Sequence, residues 1–159
     1  MMKEISIIGE LINHSFARAR TAWELKDVSG YQNLAKLQAD RGCQYLDCNL
    51  SGGAKISIRL EDIIHFLPKV IPAIQEAANI PICFDSPSLE YHKTCLKHYD
   101  IKKTGAPIIN SIALSRENIG EWIQLIGKSQ AKVLVVVSEC HKSDNSIGQA
   151  HEASEVLSA

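Results

Sequence analysis

Gln44-Tyr45-Leu46-Asp47-Cys48-Asn49 is the stretch whose reading decides the fold. It is a short strand-forming run that ends in polar residues, with Asp47 and Asn49 on one face and Cys48 on the other by period-two alternation. Before it lies a segment of helical period, Ser29 to Gly42, with Leu34, Leu37 and Gln38 at helical spacing and Gly42 as its stop. After it comes a long helical pattern, Arg59 to Ala78, carrying Ile63, Ile64, Leu67, Val70, Ile71 and Ile74, where Pro68 and Pro72 predict a kink.

The same alternation continues outward in both directions. Ile5 to Ile8 is the first strand, followed by a helix over Ser15 to Glu24. Pro81 to Asp85, Pro107 to Ser111 and Lys132 to Ser138 are strands three to five. Helices are predicted over Ser88 to Tyr99, Arg116 to Lys128 and the beginning of Ile147 to Leu157. Strands starting about 25 to 40 residues apart with a helix between each pair are the mark of a parallel α/β sheet. No internal repeat, linker or low-complexity tract interrupts the pattern, so residues 1–159 are expected to form a single domain.

Each apolar run stops at a polar residue on its C-terminal side. These are Glu10 and Asn13, Asp47 and Asn49, Asp85 and Ser86, Asn110 and Ser111, then Ser138 and Glu139. Parallel α/β folds gather these ends at one edge of the sheet, where ligands bind. Such residues also cap helices and make turns. Five strand ends in succession exceed what turn chemistry alone accounts for.

Composition narrows the partners. Seventeen Lys and Arg against 18 Asp and Glu leave a net charge of -1, which gives no electrostatic reason for nucleic acid or an anionic membrane. No apolar run approaches the roughly 20 residues that span a bilayer. The opening, MMKEISIIGE, reads as a strand and not as a signal peptide. Five cysteines (Cys43, Cys48, Cys83, Cys95, Cys140), an odd number without a CxxC pair, point to reduced thiols and a cytoplasmic setting. No metal site is expected, since Cys140-His141 has no second pair at ligand spacing. His65, His92 and His98 fall on helices as surface or boundary residues, whereas His14 and His141 follow strands and could face the site. There is no GxGxxG, P-loop or HExxH.

Five segments carry a resemblance. Ile7-Ile8-Gly9-Glu10-Leu11-Ile12-Asn13 is similar to the IGERIN opening of the methyltetrahydrofolate:corrinoid methyltransferases, which belong with the pterin-binding, dihydropteroate synthase-like (β/α)8 barrels. Gln38 to Cys43 resembles the helix end before strand two, Leu46 to Asn49 the LDxN motif, Ile82 to Ser86 the xDS motif, and Ile108 to Ile112 the INS motif. The ordered set is far more specific than any member of it.

The resemblance implies a TIM-barrel-type fold, here about five βα units, with a pocket for the pterin of 5-methyltetrahydrofolate. It implies that Asp85 and Asn110 hydrogen-bond the pyrimidine edge of the pterin. A carboxylate suits that edge because it accepts from two adjacent N–H donors. Glu10, Asn13, Asp47, Asn49, Ser86 and Ser111 match positions lining the same mouth. The reaction implied is transfer of the N5 methyl to the cobalt of a corrinoid protein, by positioning and polar preorganisation and with no covalent enzyme intermediate. No catalytic residue is assigned.

Two departures stand out. Leu11 replaces the arginine of the GERIN motif. A full barrel takes about 250 residues, so the chain reads as truncated after five strands, with edges open to a second chain or to another copy of itself. The other readings are a non-catalytic or vestigial partial barrel serving as an assembly module, and a dihydropteroate synthase.

Overall fold

A computed structural model describes residues 5–52, 56–113, 116 and 118–136, with the backbone of 140–141 and 147–148. Five strands, β1 (Ile8–Asn13), β2 (Tyr45–Asn49), β3 (Ile82–Asp85), β4 (Ile108–Ile112) and β5 (Lys132–Val135), form one sheet. All neighbours are parallel and the spatial order follows the chain, β1-β2-β3-β4-β5. Parallel neighbours need crossovers, and crossovers of one hand taken in sequence place every helix on the same face. This is the α/β arrangement of successive βα units in a barrel, as the sequence predicts.

The helices are α1 (Ala17–Glu24), α2 (Val28–Ala39), α3 (Leu60–Ala78), α4 (Leu89–Lys97), α5 (Ile101–Thr104) and α6 (Ile119–Ser129). The long α3 buries Ile63, Leu67, Val70, Ile71 and Ile74 in one stripe. It stays a single helix through Pro68 and Pro72. The prolines are four residues apart, so both missing hydrogen bonds fall on one side of it. Asn79, at φ 47°, ends it in the left-handed conformation that asparagine tolerates.

Side chains of alternate strand residues define two faces. Leu46, Cys48, Ile82 and Phe84 join the helices in one buried cluster, and Ile109 packs with Trp122 of α6 in another. Cys48 is thus a packing residue, as its alternation with Asp47 predicts. Tyr91 of α4 donates its hydroxyl to the Cys48 carbonyl at 2.8 Å beneath this layer.

The opposite face carries Tyr45, Asp47, Cys83, Asp85, Asn110 and Lys132. Lys132 Nζ on β5 donates to the Tyr45 hydroxyl on β2 at 2.5 Å, although β3 and β4 lie between them. Strands are spaced about 4.8 Å apart, so this reach reports a sheet curled toward that face. Ile5 and Ile7 beside β1, and Leu134 and Val136 on and after β5, are exposed.

Three expectations change. The first strand runs from Ile8 to Asn13 and not from Ile5 to Ile8, so Glu10 and Asn13 lie within it. A register shift between Gly9 and Ile12 lets the strand continue past Glu10. Ile147 and Gly148 pair with Cys140 and His141 as short antiparallel strands, β6 and β7, where the sequence predicts a helix start. The rest of that predicted helix, and Ser138 and Glu139, lie outside the described residues. His92 is fully buried, not at the surface. Its Nε2 meets the Ser86 carbonyl at 3.0 Å and its ring packs edge-on against Trp122. No described helix is long and apolar enough to cross a membrane.

Candidate functional site

The register of the sheet brings the polar strand ends together. Asp47 lies opposite Cys83, Asp85 opposite Asn110, and Asn13 opposite Asn49. Asn49 Nδ2 donates to Asp85 Oδ2 at 2.9 Å, while Asn49 Oδ1 accepts from the Ser51 backbone N–H at 3.1 Å. The amide is therefore held at both ends, and it orients the carboxylate on the next strand.

Asp47 is the most buried of the charged groups, with 3% of its surface exposed. Its carboxyl is raised to about 7, first by burial and then by repulsion from Asp85 and Glu10. Cys83, opposite it in register, and the Asn110 amide offset part of that rise. Burial, then the charges of Asp47 and Asp85, push the Cys83 thiol up, so it stays protonated and can donate to Asp47. Asp47 Oδ2 is buried and has no hydrogen-bond partner among the described residues. A carboxyl of this kind holds a proton near neutrality and keeps one oxygen for another group.

Five of the eight residues read from the sequence, Glu10, Asp47, Asn49, Asp85 and Asn110, thus gather on one face. The other three sit at its margin. Asn13 Oδ1 accepts from the Ser15 N–H at 2.8 Å in the turn after β1. Ser86 is buried, and its hydroxyl accepts from Ser51 Oγ at 2.8 Å and from the Ser88 N–H at 3.2 Å. Ser111 is half-buried at the register shift between Asn110 and Ile112. Ser86 and Ser51 tie the loop after β2 to the loop after β3, which steadies the floor on which Asn49 and Asp85 meet.

Sequence reasoning missed the Cys83 contact to Asp47, the Ser51–Ser86 link, and the Tyr45–Lys132 pair below the carboxylates. Extending the alternation from Asp47 back to Tyr45 signals only the last. The first two depend on strand register, which no single strand reveals. His14 follows β1 but turns into the helix layer, where it meets the Tyr31 hydroxyl at 2.8 Å and stacks near Trp23. His141 has no described side chain.

As a chemical surface, the face offers two amides, a fixed carboxylate and a carboxyl that titrates at about 7. That set matches a flat heterocycle whose edge presents donors and acceptors together.

The family described as "Pterin binding enzyme" matches residues 11–158. A methylcorrinoid:tetrahydrofolate methyltransferase of Eubacterium limosum is 33% identical over 107 residues, which cover 67% of this chain. The matched segment spans 36% of that protein, about a third of its length.

Proposed function

Since this chain belongs to the pterin-binding enzyme family, we propose that its concave face binds the pterin of 5-methyltetrahydrofolate for methyl transfer to the cobalt of a corrinoid protein. The observation that carries this reading is Asp85 and Asn110 side by side in register, with Asn49 bonded to the Asp85 carboxylate. A carboxylate and an amide on neighbouring strands can grip adjacent heteroatoms of one ring edge, and charge-assisted bonds of this kind contribute about 1.5–3 kcal/mol each.

The methyl is bound to a tertiary amine, N5, which leaves poorly unless it is protonated or strongly hydrogen-bonded. Asp47 suits that need, because Oδ2 is free of partners and the group titrates at about 7. In this proposal Asp47 holds the proton, Cys83 and Asn110 orient it, and Asp85 with Asn49 fixes the ring. The corrinoid, carried by its own protein, supplies the metal centre that exchanges the methyl. The name of the Eubacterium relative writes transfer from methylcorrinoid to tetrahydrofolate. Both directions share one transition state, so one polar face serves either.

Isothermal titration with 5-methyltetrahydrofolate tests the reading. Binding below 1 mM that weakens at least tenfold in Asp85→Ala is expected, from the ~1.4 kcal/mol that a factor of ten represents. No heat at millimolar ligand, or unchanged affinity in the variant, would overturn it.

A second reading, an assembly module, draws on the exposed Ile5, Ile7, Leu134 and Val136 at the two outer strands. Light scattering separates the two: a monodisperse monomer removes this alternative.

A further inference from the structure

One cavity lies away from the strand ends. It is an open groove of about 830 Å³ between the end of α1, residues 56–59 and the first turns of α3. Trp23 and Phe66, edge-on at 5.5 Å, form its base. Val28, Ile56 and Ile58 supply apolar walls.

The charge around this base is one-sided. Arg59 grips Asp62 through two hydrogen bonds of 2.9 and 3.0 Å, which neutralises the acid of the rim. Lys26 and Lys69, also on the rim, form no ion pair among the described residues. Lys26 places its ammonium 3.0 Å above the centre of the Trp23 ring. Burial lowers its pKa while the charge of Asp62 opposes that, and a further negative partner would act in the same sense as Asp62. On α3, Asp62, Phe66 and Lys69 recur at helical spacing, so one stripe presents the aromatic ring and the second cation together.

We propose that this groove is a second binding site, for a small aromatic carboxylate. The ring would lie on the Val28, Ile56 and Ile58 walls beside Phe66, and the carboxylate would meet Lys69 and the Lys26 ammonium that covers Trp23. The volume falls in the range of about 300–1,000 Å³ typical of small-ligand pockets, and Lys26, Ser57, Arg59, Asp62, His65 and Lys69 set a polar rim beside the apolar walls. Two cations that form no ion pair among the described residues select an anion over a neutral ring of the same shape. The site is separate from the Asp47–Asp85 face and does not depend on the pterin reading.

The test uses 1-naphthoate as probe and uncharged 1-naphthamide as its control, followed by calorimetry and by the indole N–H signals of the two tryptophans, Trp23 and Trp122. The expected result is saturable naphthoate binding that shifts the Trp23 signal and leaves that of Trp122 in place. Naphthamide should bind at least tenfold more weakly. The surface variant Lys26→Glu/Lys69→Glu should lose at least tenfold in affinity, as should the wild type in 0.5 M NaCl. Equal binding of naphthamide, unchanged affinity in the variant, or no binding at 5 mM naphthoate would overturn the proposal. So would capture of a hexaglutamate peptide without naphthoate binding, which would assign the groove to an acidic protein segment instead.

Discussion

Asn49 on β2 and Asp85 on β3 are joined by a 2.9 Å hydrogen bond at the C-terminal edge of the sheet, where the amide is itself anchored by the Ser51 N–H. The carboxylate proposed to meet the pterin edge is therefore positioned by its neighbour strand. Asn49→Ala leaves Asp85 in place but free to turn. Tetrahydrofolate binding should weaken about fivefold, from the ~1 kcal/mol of a typical hydrogen bond. On an Asp85→Ala background the same substitution should cost nothing further. Calorimetry on the single and double variants measures this, and additive losses would show that Asn49 acts independently of Asp85.

Asp47 makes stability depend on pH. Its carboxyl titrates near 3.8 in an ordinary setting and at about 7 here. The folded state therefore keeps the proton that the unfolded chain releases between those values, and stability falls as pH rises across that window. At about 1.36 kcal/mol per pKa unit, the loss is on the order of 2–4 kcal/mol. Asp47→Asn cannot ionise, so urea midpoints should show the variant more stable than wild type at pH 8 and nearly equal to it at pH 4. A variant that tracks wild type at both pH values would contradict the burial argument.

His92 acts in the opposite sense. Burial lowers its pKa from 6.5 to about 4, and burial does the same to His14. As pH falls, the unfolded chain takes up protons that these rings refuse, so their contribution is complete above pH 6.5 and lost toward pH 4. His92→Gln retains a donor for the Ser86 carbonyl without the charge. Asp47 contributes with the opposite sign in wild type and variant alike, so the difference between them isolates His92: relative to wild type, the variant should be more stable at pH 4.5 than at pH 7 by on the order of 2 kcal/mol in chemical denaturation.

Gly9 is required for space, not for an unusual backbone. A Cβ there would run into Gln38 Oε1 and come within 2.8 Å of Cys43 Sγ. Gln38 Oε1 accepts from the Leu11 N–H at 2.8 Å, beside the register shift that carries β1 past Glu10. Gly9→Ala should therefore destabilise by about 1–3 kcal/mol, the usual cost of overpacking. A urea titration within 0.5 kcal/mol of wild type would show that Gln38 swings aside freely.

Much of this was legible one strand at a time. Period-two alternation separates Asp47 from Cys48 because a strand's side chains alternate regardless of what surrounds them. Spacing identifies α3 because an amphipathic helix must bury one stripe. The boundaries of β1 are not legible because the polar residues Glu10 and Asn13 look like strand ends, and only pairing with β2 shows that the strand passes through them. The burial of His92 is not legible because a helical histidine usually sits at the surface or its boundary, and Trp122 lies 30 positions further along the chain.

By itself, then, the sequence determined the order of strands and helices, the parallel α/β class, the polar character of the strand ends and the likeness to pterin-binding enzymes. These follow from local periodicity and from which residues sit next to each other along the chain. Only the tertiary structure decided that Asn49 bonds Asp85, that Cys83 and Asn110 flank Asp47, that Ser86 serves a turn, and that Lys26 covers Trp23. Those relations depend on register and curvature, which are set by how all the elements pack at once. The shifted titration of Asp47 is of the same kind, since burial and neighbouring charge exist only after the sheet has formed.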